Sequence, residues 1–278
     1  MQVLKAWFLC ISIIDMKVKA SLLLIIPGIL CFVQGANAQQ LNIPKKEDFR
    51  FGGAASVTNN GISLLPTFTL GKPAAIFDLN LAGKRFSFEP QFRFALEGKP
   101  WSMIFWWRYK VVHSSKFQLK VGAHPAIAFR KTNVLLNNRP REVLLPQRYL
   151  ASEISPNYML SKGTSIGTYL LYSRGLEPEA VRNTLFITLN ANFSNIRLGK
   201  GFVFKINPQV YRLKMDQQSG YYVTSTFTIV KEGSPFSLSS IVNKTIKTSI
   251  VGSKDFIYNL SINYSFNRKF MDMRTLGL

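Results

Sequence analysis

Residues 85–112 read RFSFEPQFRFALEGKPWSMIFWWRYKVV. In the first half, Phe86, Phe88, Pro90, Phe92, Phe94 and Leu96 share one parity. Ser87, Glu89, Gln91, Arg93 and Glu97 share the other, with Ala95 among them. After Gly98-Lys99-Pro100 the pattern resumes. Trp101, Met103, Phe105, Trp107, Tyr109 and Val111 fall on one face, and Ser102, Ile104, Trp106, Arg108 and Lys110 on the other. Side chains alternate across a strand, so the stretch predicts a β-hairpin with one aromatic, apolar face and one charged face.

A soluble sheet seldom carries so continuous an apolar face over strands of about ten residues. That length and alternation are the signature of a transmembrane β-barrel, apolar toward lipid and polar toward the lumen. The pattern recurs downstream. Phe117, Leu119, Val121, Ala123, Pro125, Ile127 and Phe129 oppose Gln118, Lys120, His124 and Arg130. Further strands are expected over 147–160, 164–173, 184–194, 202–211, 221–230, 236–248 and 255–266. Upstream, 62–70 and 74–81 read as strands, and 51–58 only weakly, with Gly52-Gly53 near its start. An even strand count leaves 51–58 out and gives an all-β antiparallel barrel of about twelve strands. Long connections at 131–145, 174–183, 214–219 and 249–254 alternate with short ones at 113–116, 161–163, 195–199 and 231–235, as such barrels require. The short Gly98-Lys99-Pro100 breaks that alternation. Pro66, Pro90, Pro125, Pro156 and Pro208 fall mid-strand. Proline removes a ladder hydrogen bond, and a closed barrel has no free edge to hold it, so β-bulges are expected there.

The 278 residues include 22 Phe, 10 Tyr and 4 Trp, yet mean hydropathy is near neutral, far below a helical membrane protein. The formal charge is +21. The basic residues are spread along the chain without a nucleic-acid-binding motif, so a basic lumen or loops facing anionic headgroups explain them better than nucleic acid. Lys17 and Lys19, the apolar run 22–33 and Ala36-Asn37-Ala38 form an export signal, with Met16 as an alternative start. Cys10 and Cys31 both fall in the segment that cleavage removes, leaving no disulfide, thiol nucleophile or cysteine metal site.

The final strand carries Phe256, Tyr258, Leu260, Ile262, Tyr264 and Phe266 on one parity and Asn259, Ser261, Asn263 and Ser265 on the other. With the signal and the loop alternation, this resembles the Gram-negative outer-membrane β-barrel proteins in general pattern. The resemblance implies an outer-membrane location, a lipid surround and insertion by the barrel-assembly machinery, which recognises a terminal aromatic. Residues 271–278 extend past Phe270, a departure from that pattern. The expected organisation is a signal peptide over 1–38, a periplasmic segment over 39–60, the barrel over 61–270 and a tail over 271–278.

Glu89, Arg93, Glu97, Trp106, Arg108, Lys110, Lys120, His124, Glu153 and Lys205 take the inward parity and are the expected lumen lining. Charges in a narrow lumen must pair or be hydrated. If they pair off among themselves, they brace and plug the barrel. If they remain free, the excess of Lys and Arg selects small anionic solutes. The leading expectation is a passive pore for small polar or anionic solutes. The alternative is a structural or interaction barrel with a closed lumen. A third, remote reading is a membrane-edge lipid hydrolase built on His113 beside Ser114-Ser115, which lacks a neighbouring acid or amide to orient it. No metal-ligand spacing and no nucleotide-binding motif appears, so no cofactor is expected. Trp101, Trp107 and Tyr109 read as an interfacial girdle, whereas Trp106 has the inward parity.

Overall fold

The computed structural model describes residues 49–136 and 139–270. The predicted signal peptide and the tail over 271–278 lie outside the described residues, as do residues 39–48 of the segment over 39–60. Thirteen strands form one antiparallel sheet: β1 (Phe49–Thr58), β2 (Ala74–Ala82), β3 (Phe86–Ala95), β4 (Pro100–His113), β5 (Phe117–Leu136), β6 (Arg139–Ser161), β7 (Thr164–Gly175), β8 (Asn183–Gly199), β9 (Phe202–Met215), β10 (Gln218–Lys231), β11 (Phe236–Thr248), β12 (Phe256–Tyr258) and β13 (Ser261–Phe270). Consecutive strands pair from β1 through β12, and β13 pairs both β11 and β1, so the sheet closes on itself. β12 and β13 both pair β11 and are one strand interrupted at Asn259-Leu260. The result is a closed barrel of twelve staves.

The outer face is apolar. Phe77, Leu81, Trp107, Tyr109, Leu150, Ile154, Leu189, Val223, Leu238, Ile262 and Tyr264 are all exposed there. A monomer in water does not leave a surface of this kind uncovered. With closure and inside-outside alternation, it defines a transmembrane barrel of the outer-membrane type.

The closing strand corrects the sequence reading. The weak segment 51–58 lies within β1 and pairs β13 from Phe49↔Phe270 to Thr58↔Ser261. Its small residues suit tight approach: a Cβ on Gly53 would lie 2.4 Å from the Asp78 carbonyl oxygen. The stronger-looking segment 62–70 is not a strand. It belongs to the β1–β2 loop and turns through a short 3-10 helix at Pro66–Phe68. Its alternating apolar residues are explained by burial inside the barrel: Leu64, Leu65 and Phe68 pack on buried Trp106, Leu171, Phe186, Tyr211 and Leu213.

The prolines also behave differently from expectation. Pro66 opens the 3-10 turn. Pro90, Pro125, Pro156 and Pro208 cause no register shift. Each keeps its ladder on one side, where Pro90↔Phe105, Pro125↔Leu150, Leu119↔Pro156 and Pro208↔Ser225 pair. Each interrupts it on the other, where no N–H is available. At Pro208 the neighbouring side chain compensates, since Asn207 Nδ2 donates to the Ala191 carbonyl at 2.8 Å.

The register shifts fall elsewhere, and two of them redirect side chains. Arg93↔Ser102 is followed by Phe94↔Pro100, so Trp101 is a bulged residue. It turns inward and is buried, away from the girdle its parity predicted. A shift between Lys110 and Val112 places His113 opposite Gln118, off the lipid-facing parity. The predicted turn near Asn195 is absent; β8 runs to Gly199 and turns at Lys200-Gly201. The connection expected over 131–145 is largely strand, with β5 and β6 paired out to Leu136↔Arg139.

Candidate functional site

The inner wall has three zones. At the end opposite Phe49 and Phe270, the β1–β2 loop folds into the lumen through a narrow neck. Gly61 accepts from Leu70 N at 2.9 Å and Gly71 N at 3.2 Å, and its own N–H donates to the Lys72 carbonyl at 2.7 Å. A Cβ there would sit 3.0 Å from the Trp101 ring, so glycine is the residue the neck accommodates. Asn59 and Asn60 fasten the base to the broken strand: Leu260 N donates to Asn59 Oδ1 at 2.8 Å, and Asn60 Nδ2 to the Tyr258 carbonyl at 3.1 Å.

Inside, wall side chains satisfy the loop's backbone carbonyls. Trp101 Nε1 donates to Phe68 O at 2.7 Å, and Arg130 donates to Thr67 O at 2.9 Å. The Tyr211 hydroxyl shares its hydrogen between Leu64 O at 3.2 Å and Asn243 Oδ1 at 2.9 Å. Tyr211 stacks on Tyr222 at 4.8 Å, and Phe68 meets Tyr149 edge-on at 5.1 Å. The bulged Trp101 is thus a loop anchor, which strand parity had concealed. A cavity of about 370 Å³ remains between loop and wall, lined by Phe68, Arg93, Trp106, His124, Tyr149, Tyr169 and Phe186 among others.

The second zone is centred on Arg108. Its guanidinium bonds to Glu89, and to Glu153 through Nε at 2.5 Å and a terminal nitrogen at 3.2 Å. The Tyr169 hydroxyl donates to Glu153 at 2.6 Å and Ser87 Oγ to Glu89 at 2.7 Å. The Glu153 side chain is only 2% exposed. Trp106 lies under the guanidinium at 4.2 Å and meets the His124 ring at 3.9 Å. Arg108, Trp106, His124, Glu89 and Glu153 are therefore one contiguous group, drawn from four strands by register.

The third zone, toward the end that carries Phe49 and Phe270, is polar. Asn207, Gln209, Thr224, Ser237, Ser239 and Asn263 line successive strands there, with Gln209 Nε2 donating to Asn207 Oδ1 at 2.5 Å and Asn263 Nδ2 to Ser239 Oγ at 3.0 Å. Lys110 stands directly opposite Lys120 in the β4–β5 register, and Lys120 opposite Ser155. Lys205 pairs Thr228 and is exposed. Arg93, on the cavity wall, donates to Gln91 at 3.0 Å and lies 5.3 Å from the Trp101 ring.

Glu97 is the expected lumen residue that lies elsewhere. It sits in the 96–99 turn, bridged to Lys72 at 3.5 Å and Lys99 at 3.7 Å, at the rim. The His113-Ser114 pair forms no nucleophile arrangement. Ser114 Oγ donates to the Phe117 carbonyl and accepts from Phe117 N, both at 2.9 Å, and so closes a turn.

No protein-family model matches the chain, and no curated protein matches it. Among solved structures, a KdgM porin in complex with disordered oligogalacturonate aligns at 10% identity, covering 78% of this chain and 99% of that one, with a TM-score of 0.49. OmpT, an outer membrane protein of Vibrio cholerae, aligns at 9% identity over 81% and 100%, with a TM-score of 0.39. The CymD monoaromatic hydrocarbon channel aligns at 10% over 82% and 90%, with a TM-score of 0.40. At these distances the barrel stands on its own strand pairing, which closes without reference to any neighbour.

Proposed function

We propose that this protein is an outer-membrane channel for small anionic solutes, narrowed by its own β1–β2 loop. The observation that carries the reading is the Lys110–Lys120 pair. Like charges directly opposite on an antiparallel ladder repel. Arg108 shows what a self-neutralised inner charge looks like, held between two carboxylates. Among the described residues, no ion pair within 4 Å neutralises Lys110, Lys120 or Lys205. Water and mobile anions then balance these charges, which is how a basic constriction favours anions. The short turns at 83–85, 114–116, 162–163, 200–201 and 232–235 share the end that carries Phe49 and Phe270, and on the barrel pattern this end faces the periplasm.

The closed-barrel reading has one observation in its favour: the loop occupies the lumen and packs on an apolar inner cluster. Planar-bilayer recording separates the two. The channel reading expects steady conductance with a reversal potential favouring chloride in a potassium chloride gradient. It also expects a larger conductance when 62–70 is replaced by a short glycine-serine linker. Absence of conductance in both folded proteins establishes the closed barrel.

A further inference from the structure

We infer that the cavity beneath the β1–β2 loop is a binding site for a small amphipathic organic anion, an apolar or aromatic ring bearing one carboxylate. The inference rests on the channel reading only for the route by which the ligand arrives; binding itself is measured separately. The cavity, about 370 Å³, is within the range of small-molecule sites, which are mostly apolar with a few converging polar groups. Its width comes from residue choice on one strand. Ala126 and Ala128 occupy inner positions of β5, while Phe68, Trp106, Tyr149, Tyr169 and Phe186 stand around them. Replacing either alanine by a large side chain would fill the space.

The polar groups point to one ligand charge. The Tyr149 hydroxyl is committed to Gln147 at 2.9 Å and the Tyr169 hydroxyl to Glu153 at 2.6 Å, so both tyrosines have their polar ends engaged. Among the described residues no carboxylate lines the cavity, and Arg93 is its one residue with a fixed charge. A guanidinium carries five N–H donors; Gln91 takes one, and Nε is buried with no hydrogen-bond partner among the described residues. Asp78, on the neighbouring strand, offsets part of this charge, but no ion pair within 4 Å joins the two and Asp78 does not line the cavity. The cationic group is thus under-paired beside an aromatic-walled space, and a carboxylate is the planar partner that a guanidinium recognises best.

The test is isothermal titration calorimetry on the folded full chain in detergent, with benzoate and its neutral analogue benzamide. Saturable binding of benzoate, at least about tenfold tighter than benzamide, is expected from the worth of a charge-assisted hydrogen bond. Arg93→Gln should remove that preference, leaving benzamide affinity unchanged. Ala126→Phe should abolish binding of both compounds. Wild-type protein that shows no saturable benzoate binding, or equal affinity for the two compounds, overturns the site, and so does an Arg93→Gln variant with undiminished preference. The wild-type comparison stands even if a variant does not fold. Benzoate binding without bilayer conductance would sink the channel reading and leave the site intact.

Discussion

Arg108 reaches Glu153 across an intervening strand because Gly122 lies between them. The register runs Arg108↔Gly122 from β4 to β5 and Gly122↔Glu153 from β5 to β6. A Cβ on Gly122 would come within 2.9 Å of Glu153 Oε1 and 3.0 Å of the Trp107 carbonyl oxygen. The glycine is a window through which two inner-wall residues two strands apart form an ion pair.

Gly122→Val should therefore break the Arg108 group and lower the urea midpoint for unfolding in lipid vesicles. Removing one partner of a buried pair leaves the other charge unmatched, and Glu153→Gln should cost about 2–4 kcal/mol, reduced by the partial wetting of Arg108. The double replacement Arg108→Met/Glu153→Leu should recover part of that loss. Strictly additive losses would show that the pair does not act as a unit.

The loop is held by a few polar bonds as well as apolar packing. Trp101→Phe removes the donor to Phe68 O while keeping most of the ring, and should weaken docking of the loop by about 1 kcal/mol. The expected readout is a more frequent high-conductance state in single-channel traces. Unchanged dwell times would mean that Trp101 does not restrain the loop.

Lys110 and Lys120 face each other on one rung of the β4–β5 ladder, where the proposed channel would take its sign. Lys110→Glu should create a cross-strand ion pair with Lys120 and shift the reversal potential toward cation preference. Changing both to Glu should shift it further. An unmoved reversal potential in the double variant would place the selective constriction elsewhere.

Outside the membrane, Glu177 in the β7–β8 loop accepts from Arg148 Nε and Arg148 N, both at 2.6 Å. The Arg148 side chain, followed by its backbone N–H, holds the Glu177 carboxyl below its ordinary value of 4.5. A depressed carboxyl stabilises the folded arrangement above its unfolded pKa, and that contribution is lost as pH falls through the folded pKa. Protection of this loop from proteolysis by an acid-active protease should therefore decline below the ordinary Glu range and hold above it. Glu177→Gln should show no such decline in that window.

The barrel was legible because lipid and water lie on opposite sides of every stave, which writes a two-residue period into the chain. Where the structure departs from this period, the causes are physical. Leu64 and Phe68 are apolar because they fill the lumen, and an alternating apolar segment looks the same whether its cover is lipid or another part of the protein. The segment 51–58 reads only weakly as a strand, and drops out of an even count, because Gly52, Gly53, Ala54 and Ala55 offer little hydropathy contrast, although their size suits close strand approach. Parity points Trp101 outward because it assumes an unbroken ladder, and the bulge opposite Arg93 and Phe94 breaks it.

The sequence by itself determined the alternating staves, the basic excess and the parity that puts Arg108, Lys110, Lys120 and His124 on one side. Only the tertiary structure decided which of those charges are paired, that Gly122 is the gap joining Arg108 to Glu153, and that residues after Asn60 turn into the lumen. The reason is that parity is a property of one strand. Pairing and plugging depend on register between strands far apart in sequence, and on a loop whose burial no local pattern encodes.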